Sequence, residues 1–233
     1  MDTHRVYRHF CMMARALEVV GERWSLLIVR DLTLGPQRFS DLARGLAGVT
    51  PTRLTHRLRQ LEALDVVTRT PAIAGREVWY ELTEAGHDLG PVVEALTLWG
   101  IEHALERPRA GERVPPIPTM IGTKMWLSRN AMPQRPVTWV WQFAGEGDYT
   151  IDFDHAVWTL SRGAAKVADV TVDATPDAWA RLLTTPRGSR RLSEKSIRLA
   201  GTQDSIDLFA QSFILELGRR RPARPAGTLH RAT

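Results

Sequence analysis

Residues Thr50 to Thr70, TPTRLTHRLRQLEALDVVTRT, switch period partway along, and that switch confines the fold more than any other feature of the chain. Leu54, Leu58 and Leu61 recur at helical spacing. They follow Thr50, a good N-cap, and Pro51, whose missing N–H would be unpaired in the first turn anyway. The spacing predicts a helix from about Pro51 to Leu64 and, directly after it, a β-branched strand. At roughly 100° per residue, Thr52, Arg53, His56, Arg59 and Gln60 project opposite the leucines, with Arg57 at the flank. One face packs and the other offers donors. A solvated arginine face is the commoner use of such a pattern, so the neighbouring sequence has to decide.

Upstream, Trp24, Leu27, Ile28 and Leu32 mark a buried helical stripe that Gly35-Pro36 stops. Ser40 is placed to cap a short helix carrying Leu42, Leu46 and Val49 inward, and a tight turn around Gly48 leads to the arginine helix. Downstream, Val66 to Arg69 and Glu77 to Leu82 read as two strands joined by a turn through Pro71 to Gly75, with Arg69 and Arg76 near the tip. A long helix follows, with Leu89, Val92, Val93, Leu96 and Trp99 on its apolar side. That stripe is long for a small domain. A dimer contact and simple packing on the preceding helices both account for it.

The ordered set GERW, GPQRFSDL, TPTRLTHRLRQLE and YELTEAG, behind an N-terminal cysteine, resembles the HxlR family of bacterial winged helix-turn-helix transcription regulators. The resemblance runs from Cys11 to beyond Trp99. It implies a homodimer on double-stranded DNA, with two recognition helices in successive major grooves of a near-palindromic operator and wings at the flanks. The residues it places at DNA are Arg38, Ser40, Thr50, Thr52, Arg53, His56, Arg57, Arg59, Arg69 and Arg76. Some members of that family use a cysteine near the position of Cys11 as a thiol switch across the dimer. A small side chain closing the first helix against its partner is the alternative for Cys11.

Charge supports a duplex partner independently. Residues 1 to 110 hold 14 arginines and 14 acids, so this half is neutral. Between Arg38 and Arg76, however, seven arginines face only three acids. Positive charge concentrated on turn, helix and wing is what phosphate neutralisation requires.

After Arg107 to Pro118, a Pro-, Gly- and charge-rich linker, the pattern changes. Met120 and Met125 lie in an apolar, helix-compatible segment. PVTWVWQF, YTIDF, HAVWTLSRG and ADVTVDAT read as strands, with Trp139, Trp141 and Phe143, then Tyr149, Ile151 and Phe153, then Ala156, Trp158 and Leu160 alternating onto one face. Thr175 caps a helix containing Trp179, SIRLAG is a last strand, and a closing helix turns Leu208, Phe209, Phe213 and Leu217 inward. The whole chain is therefore expected to be α+β: a winged helix-turn-helix domain at 1–106, a linker at 107–118, a domain at 119–218 with a sheet and helices on one face, and a basic mobile tail at 219–233.

The order of elements in the second domain resembles the sterol-carrier-protein fold, whose members hold apolar molecules between sheet and helices. The resemblance implies a cavity lined by Trp139, Trp141, Trp158, Trp179 and Phe213 and covered by Met120 and Met125, which would take an apolar or aromatic effector. An aromatic face is also what an ordinary core looks like.

Several classes are disfavoured. There is no glycine-rich phosphate loop, GxSxG or HExxH, the seven histidines are scattered, and a single cysteine precludes a multi-thiolate metal site. No enzyme activity, cofactor or metal is expected. The polar start and the lack of a long apolar run point to a cytoplasmic protein without membrane contact. The alternative from another class is a small-molecule or lipid carrier whose winged helix serves dimerisation or protein contact.

Overall fold

The computed structural model describes residues 7–71, 77–186, 188–192 and 195–215. The first half begins with α1 (Met12–Val20) and α2 (Ser25–Leu32), followed by a two-residue strand β1 (Gln37–Arg38) and α3 (Phe39–Gly45). The arginine helix is α4 (Pro51–Ala63), with the Thr50 hydroxyl accepting from the Arg53 N–H at 3.3 Å. Strands β2 (Val67–Pro71) and β3 (Val78–Leu82) form the wing. Its sheet has three strands rather than the two expected, in the order β1-β3-β2, because Gln37 and Arg38 pair antiparallel with Tyr80 and Trp79. A run of two residues carries no period, so the third strand left no trace in the pattern.

Other expectations need correction. The stripe from Trp24 does not belong to one uniform helix: Trp24 is left-handed (φ 82°), stands outside α2 as its N-cap, and Leu27 is exposed. Ser40 is not a cap. The helix starts at Phe39, Arg38 takes the N-cap position without a side-chain bond, and Ser40 lies exposed in the first turn. The long helix after the wing is two pieces, α5 (Glu84–His87), capped by the Thr83 hydroxyl, and α6 (Gly90–His103). Gly86 seats closely at the first of these, since a Cβ there would fall 2.1 Å from the Val66 carbonyl oxygen.

The leucines of α3 and α4 meet Ile28, Val29, Leu32, Val66, Val67, Leu82 and Val93 in one core. Fully burying each such side chain contributes about 1.5–3 kcal/mol.

The second half is built on α7 (Pro116–Asn130), which takes its first turn from the end of the expected linker. Strands β4 (Val137–Phe143), β5 (Gly147–Asp154), β6 (Val157–Arg162), β7 (Val170–Ala174) and β8 (Ile197–Gly201) form a sheet ordered β6-β5-β4-β7-β8, antiparallel except between β4 and β7. Ala156 falls outside its expected strand: with His155 it makes a two-residue hairpin turn, both at positive φ. Helices α8 (Pro176–Leu183), capped by Thr175, and α9 (Gln203–Phe213), capped by Thr202, share the second core with α7. Leu217 and the basic tail lie outside the described residues.

The halves are joined through side chains. Leu34 packs on the second core, Lys124 of α7 pairs with Glu94 of α6 at 2.7 Å, and Arg129 pairs with Glu102.

Candidate nucleic-acid interface

Leu54, Leu58 and Leu61 are fully buried, and that fixes the rotation of α4. Thr52, Arg53, His56 and Arg59 consequently stand exposed on the far side. Arg53 and Arg59 form no ion pair among the described residues. The other arginines of the stripe are engaged. Arg69 meets Glu62 at 2.9 Å, and Arg38 meets Glu77 at 2.9 Å while lying 4.7 Å above the Trp79 ring. Both remain well exposed, and exposed pairs of this kind are worth only about 0–1 kcal/mol, so a phosphate can replace the carboxylate.

Arg57 is a correction to the expected set. Its side chain is only 13% exposed and pairs with Glu22 at 3.3 Å, which ties α4 to the break between α1 and α2. It positions the helix rather than facing outward. Thr50 is exposed but its hydroxyl is committed to the cap, and Arg76 lies outside the described residues.

One contributor escaped the sequence reading. Arg23 is exposed, lies 4.9 Å over the Trp24 ring, and lines with Thr52, Arg53 and His56 a concave surface of about 670 Å³ beside α4. The GERW tetrapeptide was its only signal. The left-handed Trp24 brings it there.

Of the second-half residues expected to line a cavity, all but Met125 occupy a filled core. Met120, Trp139, Trp141, Trp179 and Phe213 are 0% exposed and Trp158 is also buried, whereas Met125, 3% exposed, borders a hollow of about 530 Å³ on the side of α6. Trp139 contacts Phe209, Trp158 and Phe213 with ring centroids 4.9, 5.2 and 5.9 Å away, and Trp141 lies 5.4 Å from Trp179. Trp158 donates to the Ala131 carbonyl at 3.0 Å and Trp179 to the Thr123 hydroxyl at 2.8 Å. The indole N–H groups of Trp139 and Trp141 have no hydrogen-bond partner among the described residues. Open apolar space lies elsewhere, in two adjoining hollows of about 530 and 380 Å³ that share Ile101, Leu105, Trp126, Leu183 and Thr184. They run between α6, α7, α8 and the connecting segment.

Asp31 is fully buried at the end of α2. Arg30 reaches its Oδ1 from Nε and Nη2 at 2.8 and 2.7 Å, while Oδ2 has no hydrogen-bond partner among the described residues. Burial pushes this carboxyl above the usual range, against the opposing pull of Arg30 and, from the second sheet, Arg162.

No helix among the described residues is long and apolar enough to cross a membrane, and none of their His, Cys, Asp and Glu side chains cluster as a metal site.

Two helices ahead of an arginine-bearing third, with a wing behind it, define a winged helix-turn-helix module. A family model described as HxlR-like helix-turn-helix matches residues 19–108. An HTH-type transcriptional regulator of Methanothermobacter thermautotrophicus is 32% identical over 109 residues, covering 46% of this chain and 82% of the relative. The chain belongs to the HxlR-like helix-turn-helix family. An HTH-type transcriptional regulator of Mycobacterium tuberculosis is 46% identical over 106 residues, and that match takes in 45% of this chain and 63% of the relative. The chain thus spans less than two thirds of that relative. Among solved structures it is similar to the redox regulator HypR in its reduced form, at 31% identity over 40% of this chain and 92% of that one, with a TM-score of 0.38. The family match stops at residue 108, and the second half is read from its own geometry.

Proposed function

We propose that the protein is a homodimeric transcription regulator whose α4 reads operator DNA in the major groove, with Arg23, Arg38 and Arg69 on flanking phosphates. The observation that carries this is the exposed face of α4, where Arg53 and Arg59 have no carboxylate of their own among the described residues, in a half-chain otherwise balanced in charge. Dimerisation is supported by apolar surface left uncovered on two elements of the first half. Val92, Leu96 and Trp99 of α6 are 48, 53 and 58% exposed, and Phe10, Met12 and Met13 at the start of α1 are more exposed still. Exposed apolar surface on this scale marks an association site.

Control by an apolar small molecule we assign to the groove beside Ile101, Leu105, Trp126 and Leu183 rather than to the aromatic core, because the groove is open and touches both α6 and the second half. A thiol switch is the second control consistent with the fold, since Cys11 is half-buried at the start of α1 beside that exposed patch.

The test is selection of DNA fragments by the purified protein, followed by titration of the best sequence at several salt concentrations. The expected outcome is an inverted repeat with half-site centres about 10–11 bp apart, or a multiple, and an affinity falling steeply with salt. Selection of no sequence, with no salt dependence, refutes the reading.

A further inference from the structure

Where the first core approaches the second sheet, buried polar atoms are left over. Gln37 is 1% exposed, donates from its amide nitrogen to the Asp31 carbonyl oxygen, and leaves Oε1 with no hydrogen-bond partner. The unpartnered Oδ2 of Asp31 faces Gly45 so closely that a Cβ on that glycine would fall 2.7 Å from it. Native interiors seldom leave acceptors unmet, and each that is left asks for an explanation such as a water, an ion or a functional role.

Gln37, Asp41, Arg44 and Gly45 line one side of a cavity of about 180 Å³. Tyr149 and Arg162 of the second sheet, Glu146 before it and Arg113 of the connecting segment line the other. That volume is below the roughly 300–1,000 Å³ of pockets for drug-sized ligands, so an occupant is small. The cavity has two ends. At the first-domain end Asp41 and Arg44 pair with each other at 3.4 Å, which leaves the unmet Gln37 Oε1 as the open acceptor. At the other end are guanidinium groups held loosely: Arg113 stands 3.8 Å from Glu146, long for an ion pair, and Arg162 forms none among the described residues.

We propose that this cavity binds an amino-acid-sized zwitterion, its ammonium group donating to Gln37 Oε1 and its carboxylate meeting Arg113 and Arg162. Water in the cavity would satisfy Gln37 but would leave the paired polarity of the site unused. A zwitterion matches both ends, and it touches the first domain and the second sheet together.

The experiment is calorimetric titration of the full chain with each common L-amino acid in turn, with acetate and methylammonium as probes of the separate ends. The expected result is saturation by at least one amino acid at one site per chain, and none by either half-probe. Arg162→Ala, at an exposed position, and Gln37→Leu should each weaken that binding by about tenfold or more, the loss of one hydrogen bond to a charged group. Circular dichroism checks that each variant is folded, and Arg162→Ala decides alone if Gln37→Leu is not. Saturation by no amino acid, or binding unchanged in Arg162→Ala, overturns the proposal and leaves the cavity to water. DNA binding is measured without amino acid, so the two readings fail separately.

Discussion

Strand β4 and helix α6 are both rich in large apolar side chains, yet Trp139, Trp141 and Phe143 are sealed from solvent whereas Val92, Leu96 and Trp99 stand about half open. Periodicity records which side of an element is apolar. It does not record what covers that side. On β4 the cover comes from α9 of the same chain, through Phe209 and Phe213. On α6 the described residues fully bury only Val93, and a second copy is the proposed cover for Val92, Leu96 and Trp99. Tryptophan scanning therefore separates the two regions.

The largest effect is expected at β4. Trp139→Ala should destabilise the chain by about 3–5 kcal/mol in denaturant unfolding, because a fully buried indole leaves a cavity. Trp99→Ala should change protomer stability by less than about 0.5 kcal/mol. Equal losses at both positions would mean that α6 is covered within its own chain.

Next in size is association. Leu96→Glu should raise the dimer dissociation constant by about 30-fold or more, the scale of a central interface residue at about 2 kcal/mol, while the far-ultraviolet spectrum stays the same. Sedimentation at micromolar concentration reads it directly. An unchanged dimer would move the interface away from α6.

The same distinction explains what could be read in the sequence. The arginine helix, its Thr50 cap and its buried leucines were legible because periodicity and capping are local. So were the second-half strands, whose alternation survives in the sheet. The three-stranded wing was not, because β1 acquires its identity only by pairing with Tyr80 and Trp79. Arg57 and Arg23 exchanged roles for a related reason: a side chain at the flank of a helix goes to whichever partner lies nearby, and Glu22 and Trp24 are brought there by the left-handed break before α2. The aromatic cavity failed as an expectation because large side chains on one sheet face satisfy both a pocket and a core, and only the closeness of α9 chooses between them.

A third measurement tests the face that α4 leaves open. Arg53→Ala should cost about 1–3 kcal/mol of operator affinity and relax preference at one position per half-site, as loss of a base contact does. Arg69→Ala should weaken all sequences alike and reduce the salt slope by about one. If Arg57→Ala relaxes base preference and Arg53→Ala does not, the rotation of α4 described above does not hold on DNA.

The smallest effect lies between the two regions, at Asp31. Its carboxyl is held above its ordinary value chiefly by burial. An acid whose pKa is raised on folding contributes stability that is fully present below the unfolded value, about 3.9, and is lost as pH rises through the folded value. As pH rises the native chain therefore bears the cost that burial places on this carboxylate, which Arg30 offsets only in part. Asp31→Asn removes the charge and retains an oxygen for Arg30. Its melting temperature should exceed that of the native chain by a few degrees at pH 8, since about 1 kcal/mol corresponds to 2–4 °C in a chain of this size. The difference should close as pH falls toward 4. A variant less stable than the native chain at pH 8, with the deficit shrinking in acid, would show that pairing with Arg30 outweighs burial. Asp31 would then be a net tie at the junction rather than a cost.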